Sequence, residues 1–168
     1  MQVHTDIVIK MDSTKRKLSD FESYAGYQHP QPAPKKEKNT WGKCCDELLF
    51  FSSNADSSFP AIGLNVGEGR KRLFNKTRAS LRYIYQHHIN DADWFLKADD
   101  DTYVIMENLR YFPSKLNPSD PHYIGRMFTS YCGYYNGGAG YVFSRERRET
   151  LRIFKKALDE GGCPREGG

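Results

Sequence analysis

No apolar run in this chain approaches the roughly 20 residues that carry a helix across a bilayer; the longest candidates, such as Leu48-Leu-Phe-Phe51, are strand-sized. The N-terminus, Met1 to Lys10, lacks the basic-then-apolar architecture of a secretory signal, so nothing in the sequence directs this polypeptide into the secretory pathway. Cysteine is sparse and badly spaced for chemistry. Cys44, Cys45, Cys132 and Cys163 lie too far apart for a zinc knuckle, and the adjacent pair lacks the two-residue spacer of a redox or zinc motif. A Gly-x-Ser-x-Gly nucleophile elbow is missing, and no cysteine has an activating histidine nearby, which leaves hydrolase chemistry without support. His87, His88 and His122 have no partner at metal spacing and read as packed side chains. The net charge of +4 comes from interspersed lysine, arginine and carboxylates, so no cationic face announces nucleic acid.

What is present suits one folded domain. A length of 168 residues supports a single hydrophobic core. The 38% hydrophobic content and mean hydropathy of -0.74 are low, but 14% aromatic residues predict a modest, ring-rich core. Residues 1–39 read as a disordered or linker-like tail, charged and then rich in Pro, Gln and Lys from Gln28 to Lys38. Ordered structure is expected to begin near Trp41, with a buried strand over Glu47–Ser53. Leu73, Thr77, Leu81, Ile84, Tyr85 and His88 recur at helical spacing and predict a helix within Gly67–Ile89. A strand over Trp94–Ala98 should run into Asp99, Asp100 and Asp101, followed by a short helix from Tyr103 to Phe112 stopped by Pro113. A glycine-tyrosine stretch, a strand ending at Ser144 and a last helix from Arg145 to about Leu158 complete an α/β pattern, which predicts a mainly parallel sheet flanked by helices.

Three features carry possible chemistry. Three consecutive carboxylates repel one another unless a cation or hydrogen-bond donors compensate. Asp99 and Asp101, one residue apart at a strand end, match the oxygen donors by which Mg²⁺ or Mn²⁺ is held together with substrate phosphates. Alternatively, the aspartates cap the next helix, whose dipole favours negative charge. Glycines and cations in Asn65–Arg72 open the long helix, where free backbone N–H groups suit a pyrophosphate or simply a solvated helix start. Gly137-Gly-Ala-Gly140 admits close backbone approach, and Tyr134, Tyr135 and Tyr141 offer rings for a sugar or base, or the stretch is a tight turn.

Taken together, Trp94-Phe-Leu-Lys-Ala-Asp-Asp-Asp-Thr-Tyr-Val-Ile105 and Gly137-Gly-Ala-Gly-Tyr-Val142 resemble the β1,3-glycosyltransferase family, and within it the core 1 β1,3-galactosyltransferases. Thr40-Trp-Gly-Lys43, Leu49-Phe-Phe-Ser-Ser53, Phe59-Pro-Ala-Ile-Gly-Leu64 and Glu68-Gly-Arg70 follow in the family's order, so the resemblance runs from about Thr40 to Cys163. It implies an incomplete GT-A-like nucleotide-sugar-binding core over 40–163, with 164–168 a truncated C-terminal end. It further implies inverting, Mn²⁺-dependent transfer of galactose from UDP-galactose to O-linked N-acetylgalactosamine of glycoproteins, in a type II Golgi membrane protein with the capacity to form a homodimer. By the same resemblance Asp99 and Asp101 are the metal ligands, Glu68, Gly69, Arg70, Lys76 and Asp99 line the UDP site, and Gly137, Gly138 and Tyr141 lie near substrate. The family's catalytic carboxylate, in a Glu-Asp-Val-type segment after the cysteine matching Cys163, and its later metal-binding histidine have no counterpart before Gly168. A transferase by descent is therefore expected to show here its donor-binding half. The second reading is a non-catalytic or chaperone-like relative, or an inactive fragment, that keeps the fold and the UDP and metal site, lacks the catalytic base and holds a partner or glycan.

Overall fold

The computed structural model describes residues 6–11, 41–55, 60–128, 134–135 and 137–146. The predicted last helix beyond Glu146, Cys132 and Cys163 lie outside them. Six strands form the main sheet: β1 (Asp6–Met11), β2 (Glu47–Ser52), β3 (Ala61–Gly63), β4 (Trp94–Asp99), β5 (Tyr123–Gly125) and β8 (Tyr141–Ser144), in the order β3-β2-β1-β4-β8-β5. A separate ribbon pairs β6 (Met127–Phe128) with β7 (Tyr134–Tyr135). Helix α1 spans Leu73–His87 and the short α2 spans Met106–Tyr111.

Two expectations are corrected here. Residues 6–11, read as part of the tail, form a central strand antiparallel to both β2 and β4. The sheet is mixed rather than mainly parallel, because only β2 and β3 pair in parallel while β8 is antiparallel to β4 and β5. β2, β3, β4 and β5 do share one direction, with α1 between β3 and β4 and α2 between β4 and β5, as alternating strands and helices require. Insertion of β1 and β8 between them turns almost every hydrogen-bonded pairing antiparallel.

Strand alternation sorts the core into two faces. Trp94, Leu96 and Ala98 point with Trp41, Phe50, Met11, Val142 and Met106 of α2 to one side. Phe95 points with Phe51, Tyr141, Phe143 and the α1 residues Leu81 and Ile84 to the other. On that face Phe95 stacks on Phe143, with centroids 5.3 Å apart. Both rings are almost fully buried, and each burial contributes about 2–3 kcal/mol. Uninterrupted by Pro or Gly, α1 lays Lys76, Ser80, Leu81 and Ile84 inward at helical spacing and ends where the His88 N–H reaches the Ile84 carbonyl. By contrast α2 starts at Met106, three residues later than Tyr103, because Thr102 is spent on a turn and Ile105 is extended with ψ 95°. Its N-cap is Ile105, which makes no side-chain cap bond, so none of the three aspartates is the N-cap residue of this helix.

Candidate functional site: an acidic turn clasped to a glycine turn

Phe51 of β2 and Asp99 of β4 are both in register with Asp6 of β1. The carboxyl ends of β2 and β4 therefore stand level at one sheet edge, two strand spacings or about 10 Å apart. That edge is where ligands of α/β sheets commonly bind.

At the end of β4 the Thr102 N–H donates to the Asp99 carbonyl at 3.1 Å, closing a tight turn over Asp99, Asp100 and Asp101. Asp100 is buried, Asp101 is exposed, and the Asp99 side chain keeps 35% of its surface. Beside it, the Gly140 N–H donates to the Gly137 carbonyl at 3.0 Å and closes a second turn. Gly140 takes a φ of +74°, and a Cβ there would lie 3.2 Å from the Lys97 carbonyl, so both conformation and space call for glycine. Thr102 joins the two turns: its hydroxyl accepts from the Asp99 N–H at 3.2 Å and donates to the Gly138 carbonyl at 2.9 Å.

Lys97 and Asp99 are two apart on β4 and therefore share the α1 face of the sheet. The Lys97 ammonium, 4% exposed, is ion-paired with the Asp99 carboxylate and lies 3.5 Å from where a Cβ on Gly137 would stand. A cation thus already sits against Asp99. Neither Lys97 nor Thr102 was singled out from the sequence. For Lys97 the signal was the i, i+2 spacing to Asp99; for Thr102 there was none, since its partner is 36 residues away.

The second cluster stands at the end of β2 and the start of α1. Leu64 and Asn65 donate their N–H groups to the Ser52 and Ser53 carbonyls, carrying the chain past β2 to Glu68. Lys76, 1% exposed in the first turn of α1, places Nζ 3.3 Å from both Glu68 carboxylate oxygens. Burial alone would raise the Glu68 pKa. The nearby Ser53 hydroxyl, the charge and hydrogen bond of Lys76 and the adjacent Gly69 backbone outweigh it and hold the carboxyl below its ordinary 4.5. Gly69 is exposed with φ +106°, and the backbone of Arg70 opens the 3-10 turn Arg70–Arg72 that leads into α1.

Of the remaining site residues, Gly137 is half-buried and Gly138 exposed on the glycine turn. Tyr141 is buried on the α1 face, its ring edge-on to Tyr123 at 5.2 Å. On the α2 face a cavity of about 440 Å³ adjoins both turns, lined among others by Thr102, Tyr103, Ile105, Phe112 and Gly140. Among the described residues no group of three or more His, Cys, Asp or Glu side chains converges as a metal cage. Two carboxylates at an open turn fit instead a hard divalent ion that takes most of its ligands from water and phosphate.

The Fringe-like family model matches residues 37–164. The chain belongs to the Fringe-like family. It is 50% identical over 128 residues to glycoprotein-N-acetylgalactosamine 3-beta-galactosyltransferase 1 of Xenopus laevis, covering 75% of this chain and 35% of that protein. It is 31% identical over 121 residues to a beta-1,3-glucosyltransferase of Mus musculus, covering 69% of this chain and 25% of that protein. Chondroitin sulfate synthase 3 of Mus musculus is 32% identical over 153 residues, covering 77% of this chain and 16% of that protein. This chain thus spans about a third or less of these relatives' lengths. The Fringe-like match takes in both site clusters and begins after β1.

Proposed function

We propose that this Fringe-like chain carries the donor-binding part of a β1,3-galactosyltransferase that uses UDP-galactose and acts on O-linked N-acetylgalactosamine of glycoproteins. The observation that carries the reading is the Thr102 clasp, which fixes Asp99 and Asp101 beside the glycine turn at the carboxyl edge of the sheet. Similarity at 50% identity to a galactosyltransferase of that acceptor class supports the choice of sugar and acceptor.

In this reading Asp99 and Asp101 hold Mn²⁺ against the UDP diphosphate, while Glu68, Gly69, Arg70 and Lys76 line the nucleotide. When bound, the ion supplies neutralising charge to the leaving diphosphate. The chain's own residues do the positioning. Lys97 orients the Asp99 carboxylate, Thr102 fixes the turn that presents Asp101, and Gly137 and Gly138 leave room for a sugar at the backbone. Fixed groups of this kind cost no reorganisation when charge develops. Inverting displacement also requires a general base for the acceptor hydroxyl. The family resemblance assigns that role to a carboxylate in a segment that follows the match to Cys163. A Golgi-lumen setting with a type II anchor goes with this function; among the described residues no helix is long and apolar enough to cross a membrane.

The test is calorimetric titration of the chain with UDP and UDP-galactose, with Mn²⁺ or with a chelator, alongside transfer to an N-acetylgalactosaminyl peptide. Metal-enhanced binding of both nucleotides is expected. UDP binding indifferent to Mn²⁺ would refute the donor site.

A further inference from the structure

The most central strand of the sheet comes from outside the family-matched region. β1 lies at residues 6–11, whereas the Fringe-like match begins at residue 37. β2 and β4 run the same way and are joined through β3 and α1, a complete crossover in its own right. Yet they do not pair with each other. β1 fills the space between them in the opposite direction, in register with Phe51 to Glu47 on one side and with Asp99 to Trp94 on the other. Without it, two facing rows of backbone N–H and C=O groups in the middle of the sheet would lack ladder partners, and the flanking Phe50, Phe51, Trp94 and Phe95 are all buried.

The slot also recognises a side chain. Lys10, 3% exposed, places Nζ 2.6 Å from Glu47 Oε2 and 3.0 Å from Asp91 Oδ2, so it bridges β2 and the loop before β4. His88 holds the same Asp91 carboxylate at 2.9 Å. Next to Lys10, Met11 is buried in the core, and its carbonyl accepts from the Asp93 N–H at 3.1 Å. A slip of one residue would turn Lys10 to the apolar α2 face and Met11 to the two carboxylates, so the clamp fixes the register.

We propose that the cleft between β2 and β4 is a strand-binding site, occupied in this chain by its own residues 6–11 as an in-cis ligand, and that the sheet of the Fringe-like region depends on that occupant. Backbone pairing supplies the affinity and the Lys10 clamp the selectivity, the division of labour seen when a peptide adds to a sheet. The inference stands apart from the donor-site reading, since it concerns the sheet and not UDP.

Hydrogen exchange on the intact chain gives the first test. Amides of residues 7–10 should be protected to the same degree as those of Phe95 to Lys97; exchange of 7–10 at unstructured rates while Phe95 to Lys97 stay protected would overturn the proposal. For the second test, a protease site is inserted between Pro34 and Lys35 of the full chain and cut after folding. The N-terminal piece should stay bound at one-to-one stoichiometry. A synthetic peptide of residues 1–15 should displace it, and the same peptide carrying Lys10→Glu should compete at least about tenfold more weakly, because two carboxylates then face a third. Release of the piece with the near-UV spectrum of the remainder unchanged would overturn the proposal, as would equal competition by the two peptides.

Discussion

Two buried lysines each hold a carboxylate at the same edge of the sheet, and the two pairs are built differently. Lys76 and Glu68 form a closed pair: the lysine side chain is 2% exposed, the carboxylate 18%, and Lys76 Nζ reaches both carboxylate oxygens. Lys97 and Asp99 form an open pair, with the lysine side chain 4% exposed, the carboxylate 35%, and the exposed Asp101 two residues on. A satisfied pair shapes a wall; an accessible one beside a second carboxylate invites a cation. On the proposed donor-site reading, accessibility of the acceptor oxygens rather than charge alone separates the pair that would meet a cation from the pair that shapes the wall beside it.

The largest effect that would sharpen this contrast is on binding. Asp101→Asn should remove the Mn²⁺-dependent part of UDP affinity, a loss on the order of 100-fold in titration calorimetry, with little change in melting temperature because Asp101 is exposed. On stability the order reverses. Glu68→Gln, at the more enclosed carboxylate, should cost about 2 kcal/mol by chemical denaturation, whereas Asp99→Asn, at a more solvated carboxylate, should cost about 1 kcal/mol. Equal losses at the two positions would break the comparison. Thr102→Val should cost about 1–2 kcal/mol by releasing the glycine turn from the acidic turn, and should weaken Mn²⁺-UDP binding as well.

The smallest effect is on pH dependence. Since the folded Glu68 carboxyl titrates below its ordinary 4.5, its stabilisation is full above that value and is lost as acid carries the pH down through the depressed one. The stability gap between the wild type and Glu68→Gln should therefore shrink as the pH falls below about 4.5, in denaturation curves at successive pH values. A gap that stays constant down to full protonation would mean that Glu68 is not held by Lys76 as an ion pair.

Much of this was legible from residue pattern. The Glu47–Ser53 run, the helical spacing around Leu81 and Ile84, and the strand ahead of Asp99 all report local preferences that the core then used. Asp99 ends β4 and Asp101 follows in the turn, the order that a buried strand running into three carboxylates predicts. Lys97 hid inside that strand, where one charge among apolar residues reads as tolerance rather than as a partner for Asp99. Thr102 and β1 depend on long-range pairing that no local pattern encodes. Ile7, Val8 and Ile9 are a β-branched run, but its place between β2 and β4 is decided by two strands far along the chain. The expectation of a parallel sheet failed for the same reason.

The open pair is proposed as the ion-binding side and the closed pair as the wall, and UDP titration of the wild type, Asp101→Asn and Glu68→Gln, each with Mn²⁺ and with chelator, separates the two roles. Wild-type affinity should rise with Mn²⁺, Asp101→Asn should lose that rise while keeping its metal-free binding, and Glu68→Gln should bind UDP more weakly in both conditions with the rise intact. A Mn²⁺-dependent rise that survives Asp101→Asn, or that disappears in Glu68→Gln alone, would contradict that division.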